Sequence, residues 1–108
     1  IGGIRVDRSD VLILIRQSIS KGTDGIQRQQ DESKRQVYCN VSSVSGTEWM
    51  EAGRNGIKPE YRFTVFAPDY AGETVCEYGG SRYSVYRTYQ GKNDTLELYV
   101  KKKGGVQP

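Results

Sequence analysis

Apolar residues alternate with polar ones along most of the chain, and the clearest period is two. In residues 61–66, Tyr61, Phe63 and Val65 fall on one side of an extended segment. In residues 95–101, Leu96, Leu98 and Val100 fall on one side and Glu97 on the other. Alternation of this kind predicts half-buried β-strands. Residues 74–78 and 81–89 carry the same signal, with Tyr83, Val85 and Tyr89 in phase in the second. Gly79-Gly80 predicts a two-residue connection that needs positive φ at both positions. Residues 69–72 and 91–94 read as further turns. Towards the N-terminus, residues 11–18 are apolar on both sides at first, and residues 36–45 alternate through Val37, Cys39 and Val41. Six strands, four of them at about ten-residue spacing, predict an antiparallel barrel or sandwich.

Two stretches interrupt the alternation. Residues 20–34 hold one aliphatic side chain, Ile26, among Gln, Ser, Gly and charges. So little apolar surface does not offset ordering entropy, which predicts a mobile loop. Residues 46–54 predict a short helix. Ser45 or Thr47 can cap its start, Glu48 lies in its first turn, and Gly53, Asn55, Gly56 and Pro59 end it. About two turns do not persist alone in water, so the helix needs a surface. It carries the sole tryptophan, Trp49, whose expected place is as a plug at a barrel end or as an anchor for a partner. Packing of the helix on its own barrel through Trp49 and Met50 is the plainer alternative.

Composition sharpens this picture mainly by exclusion. The chain has 108 residues, enough for one domain. Its 16 basic and 13 acidic residues leave a net charge of +3, too balanced for a chain that clamps nucleic acid by charge. Residues 1–10 read as a flexible charged lead without a secretory pattern, and residues 102–108 as a flexible tail. The longest apolar run, residues 11–15, does not span a bilayer. Histidine is absent, which removes the commonest general base and zinc ligand. Cys39 and Cys76 are spaced neither as a metal site nor as a redox pair, and read as small core residues, with a single disulfide as the alternative. These features argue against a metalloenzyme or a triad hydrolase, and no catalytic, cofactor or metal residues are expected.

The order of the segments from 43 to 99 is distinctive. It runs Ser43-Val44-Ser45-Gly46-Thr47-Glu48-Trp49-Met50-Glu51-Ala52-Gly53, then Gly56-Ile57-Lys58-Pro59-Glu60-Tyr61-Arg62-Phe63. Asp69-Tyr70-Ala71-Gly72-Glu73 follows, then Glu77-Tyr78-Gly79-Gly80-Ser81-Arg82-Tyr83-Ser84-Val85-Tyr86-Arg87-Thr88-Tyr89, and finally Leu96-Glu97-Leu98. This series resembles the head–tail joining proteins of tailed bacteriophages, also called head-completion, head-closure or stopper proteins. The resemblance covers about half of the chain closely; the first thirty residues match only loosely, and nothing in residues 20–34 carries over.

The resemblance implies a small six-stranded antiparallel β-barrel with one short helix or loop inserted between strands 2 and 3. It implies a virion structural protein, present in the host cytoplasm during assembly, with no enzymatic step. Copies would form a ring, expected to be about twelvefold, against the portal and adaptor rings. That ring would seal the channel after packaging and offer a face to tail proteins. Double-stranded DNA would pass through without sequence-specific binding, and the isolated protein would be a monomer. The insertion at 44–57 is then the expected lumen element, with Glu48, Trp49, Met50, Glu51, Arg54 and Asn55 as gate residues. Ile26, Arg28, Lys101, Lys102 and Lys103 are the expected contacts to neighbours, adaptor or tail. Arg82 and Arg87 are expected to pair with Glu77 or Glu97 across strands. The alternative function is a small nucleic-acid-binding barrel, with Tyr83, Tyr86, Tyr89 and residues 101–103 as its platform.

Overall fold

The computed structural model of the protein describes residues 10–21 and 28–103. Six strands follow one another as β1 (Asp10–Lys21), β2 (Arg28–Ser42), β3 (Pro59–Phe66), β4 (Val75–Tyr78), β5 (Ser81–Gln90) and β6 (Thr95–Lys102). One helix, α1 (Gly46–Arg54), lies between β2 and β3. The strands close into a barrel in the order β1-β2-β3-β6-β5-β4, and every pairing is antiparallel. This is the expected fold, a small mainly-β protein with a six-stranded barrel and one short inserted helix. Closure removes the lateral edge around the barrel itself, while the far part of the β1–β2 hairpin, from Arg16↔Ser33 to Lys21↔Arg28, extends beyond it as a two-stranded ribbon.

The period-two pattern fills the interior. Leu12, Leu14, Val37, Cys39, Phe63, Val65, Cys76, Tyr83, Leu98 and Val100 form one buried cluster. Phe63 is fully covered, with the rings of Tyr61, Tyr78 and Tyr83 at 5.6, 5.2 and 6.4 Å in tilted or edge-on geometry. Cys39 and Cys76 are free and buried, and burial pushes both thiols up to about 12. Gly79 and Gly80 take φ of 60° and 85° between β4 and β5, the backbone a two-residue hairpin turn demands. Asn93 and Asp94 do the same before β6, at 56° and 59°.

Three departures from the sequence reading have physical causes. Residues 20–21 and 28–34 are not loop: Ser20 and Lys21 continue β1, while Arg28 to Lys34 begin β2, paired in register from Lys21↔Arg28 to Ile15↔Lys34. Backbone ladder bonds along an existing hairpin sustain these strands without an apolar stripe, which the entropy argument left out. Residues 22–27 of the expected loop, with Ile26, lie outside the described residues. The predicted lead and tail shrink in the same way. Asp10 already pairs with Cys39, Lys102 pairs with Tyr83, and residues 1–9 and 104–108 lie outside the described residues. Finally, Tyr89 is out of phase with Tyr83 and Val85. The register of β5 against β6 shifts between Val85 and Arg87, and an extra residue in one strand turns every following side chain to the other face.

Candidate functional site

The β5 bulge gives the outer wall a polar handle. Past it, Arg87 pairs with Tyr99 of β6, and its guanidinium lies 4.3 Å from the centre of the Tyr99 ring. Tyr99 stands between the interior residues Leu98 and Val100 but is itself buried, covered on the outside by Arg87 and by Tyr86 at 6.4 Å between rings. Helix α1 is tied to this wall by the polar contacts of Glu48. The Glu48 carboxylate accepts a hydrogen bond from the Tyr86 hydroxyl at 2.8 Å and from the Arg87 guanidinium at 2.5 Å. Burial alone pushes the Glu48 carboxyl up; the hydrogen bonds from Arg87 and Tyr86 and the Arg87 charge outweigh it and hold the group below its ordinary value. Burial and the bond to Glu48 raise the Tyr86 phenol.

The local sequence explains why α1 sits this way. The Ser45 hydroxyl accepts from the Glu48 N–H at 3.1 Å and caps the first turn. At about 100° per residue, Glu48 and Ala52 share one face, and Met50 points almost directly away from it. Ala52 is accordingly buried, while Trp49 and Met50 are 46% and 63% exposed. The helix closes as Asn55 donates its backbone N–H to the Ala52 carbonyl and Gly56, at φ 75°, donates to the Gly53 carbonyl. A cavity of about 460 Å³ remains between helix and wall, lined by Glu48, Glu51, Ala52, Asn55, Ile57, Tyr86 and Arg87.

These positions revise several expectations. Glu48 does not offer a free carboxylate to a lumen, because its charge is consumed by Arg87. Glu51 is exposed but lies 3.2 Å from Arg54, so the two largely neutralise one another. Met50 lies mostly in solvent and Trp49 is half-covered on the flank of the helix, so the polar contacts that tie the helix to the wall are those of Glu48. Arg87 pairs with Glu48 rather than with Glu97. Arg82 pairs with Glu32 rather than with Glu77, through two bonds of 2.8 and 3.0 Å. Those bonds lower the Glu32 carboxyl to about 2. The three tyrosines of the alternative nucleic-acid platform are separated: Tyr83 is in the core, Tyr86 is held by Glu48, and Tyr89 is exposed alone.

The expected contact residues fall in different places. Ile26 lies outside the described residues, and Arg28 opens β2 opposite Lys21. Lys101 and Lys102 end β6 and, with Lys58 and Glu60, line a separate groove of about 230 Å³. Lys103 follows, donating its backbone N–H to the Arg82 carbonyl at 3.1 Å. Sequence reasoning missed two anchors. Glu73 is buried, accepting from Arg35 at 2.6 Å and from the Ala71 N–H at 2.9 Å. Tyr86 is the other: alternation after Val85 turns it outward, and a bulge that no residue announces sets Arg87 beside it. No group of His, Cys, Asp or Glu able to hold a metal occurs among the described residues, and no described helix is long and apolar enough to cross a membrane. No protein-family model matches the chain, and no curated protein is significantly similar to it.

Proposed function

We propose that the protein is a head–tail joining component of a tailed phage, a stopper that closes the portal channel once DNA is packaged and presents a docking face to the tail. The observation that carries this reading is a closed six-stranded barrel with one short helix inserted after its second strand. That is the architecture implied by the resemblance of the segments between residues 43 and 99 to the head–tail joining proteins. Partners in this reading are the portal and adaptor rings, the tail proteins and further copies of the chain, in the virion and, during assembly, in the host cytoplasm. The work is steric and associative, with no bond made or broken.

The role of α1 changes within this reading. An acidic lumen face is not supported, since Glu48 is paired with Arg87 and Glu51 with Arg54. Trp49 and Met50 gain nothing from a phosphate backbone, and their exposed surface suits contact with protein. Sealing then comes from barrels packed side by side around an axis. Electron microscopy of the protein mixed with purified portal–adaptor connectors tests this: an added ring of density at the connector's outer end is expected. Connectors that remain bare at saturating protein would contradict it.

A further inference from the structure

Six large apolar side chains are exposed among the described residues, and five of them fall into two groups. Trp49 and Met50 form a knob on the outward side of α1. Val11, Tyr38 and Phe66, at 38%, 59% and 40% exposure, form a row across the outer faces of β1, β2 and β3. Val11 is the register partner of Tyr38. Phe66 comes one position after Val65, which pairs with Cys39, and so stands beside Tyr38. The neighbours of these three along their strands, Leu12, Val37, Cys39 and Val65, are core residues, so the alternation turns the row outward. Tyr89 is the sixth and stands apart from both groups.

The strand order decides what the two groups can do together. In the cycle β1-β2-β3-β6-β5-β4, β5 is three strands from β2 in either direction. The wall that carries α1 is therefore opposite the wall that carries the row. An apolar helix surface and an apolar sheet face are the two halves of a helix-on-sheet layer, yet they point away from each other on one molecule. They can meet only between molecules, and always in the same sense, head to tail.

We propose that Trp49 and Met50 of one copy pack on the Val11–Tyr38–Phe66 face of the next, forming a repeating heterologous contact between copies of this chain. The proposal rests on the ring reading above for its setting and names the faces such a ring uses. A heterologous contact closes into a ring when its rotation allows. Its size fits a protein that is monomeric until organised by a template. Each of the five side chains offers on the order of 100 Å² of surface. The two sides together thus bury about 500 Å², well short of the roughly 1,200 Å² of a stable interface. In a closed ring each copy makes the contact twice, and neighbours already held on a common platform meet at high effective concentration.

Thiol cross-linking of the purified full chain tests this directly. The native cysteines are buried and stay silent towards a short bismaleimide. Met50→Cys and Tyr38→Cys variants, each first checked for native circular dichroism, are mixed at high concentration and treated with the reagent. The expected product is the mixed dimer, outweighing either homodimer severalfold, and a Tyr38→Cys/Met50→Cys double variant should give a ladder of higher species. Adding Trp49→Ala to the Met50→Cys chain should reduce the mixed dimer severalfold. A dominant Met50→Cys homodimer, or no cross-link above that of a Lys92→Cys control, would overturn the proposal. The ladder together with bare connectors in the microscopy above would uphold the contact and sink the phage setting. Decorated connectors with no 38–50 cross-link would do the reverse.

Discussion

Phe63 and Glu48 each hold a piece of the fold against the same barrel wall, one from within and one from outside. Phe63 does so by apolar burial, surrounded by Tyr61, Tyr78 and Tyr83. Such a contact is non-directional and shared among many neighbours. Glu48 does so by two charge-assisted or polar partners, Arg87 and Tyr86, next to a cavity of about 460 Å³. That contact is directional and concentrated in one carboxylate. The interior therefore sets whether the barrel exists, while the outer latch sets where α1 lies on it.

Substitutions at the two sites separate these roles. Phe63→Ala removes a fully buried ring and should cost about 3–5 kcal/mol of global stability, read as a lower urea midpoint with little change in slope. Glu48→Ala should cost about 1–3 kcal/mol, and its effect should be local. Amide exchange in α1 should accelerate and the fluorescence anisotropy of Trp49, the sole tryptophan, should fall, while exchange in β3 and β6 stays slow. Equal acceleration in barrel and helix would show that α1 is part of the core's cooperative unit and dissolve the distinction.

Acid supplies the gentlest version of the same comparison. Carboxylates held below their ordinary range stabilise the folded state fully above that range and lose the contribution as pH falls through the folded value. For Glu32, bonded by Arg82, the loss runs from the ordinary 4.5 down to about 2. Glu48 follows the same sign, since its carboxyl is also lowered. On acidification the Trp49 signal should report release of α1 before the barrel unfolds, and Glu48→Gln should flatten that early step. A single transition shared by Trp49 and far-ultraviolet signals would count against a separable latch.

The inside of this molecule was far more legible in sequence than the outside. The alternation at Tyr61, Phe63 and Val65 and at Leu96, Leu98 and Val100 states which face is buried, because burial acts on each residue by itself. Gly79-Gly80 and the Ser45 cap are legible for the same reason, being local chemistry. Pairing between distant polar residues leaves no such mark. Glu48 could meet Glu97's strand or β5 equally well until a bulge after Val85 turned Arg87 outward beside Tyr86. Likewise, the first half of β2 carries no apolar stripe, and only its ladder to β1 makes it a strand.

The role proposed for this chain is to fill a hole among copies of itself. It is tested most directly by DNA retention in capsids packaged with and without the protein. Capsids lacking it should release their DNA to added nuclease, and purified wild-type protein supplied before nuclease should restore protection. Capsids that remain full without it, or that leak equally after it is restored, would contradict the account.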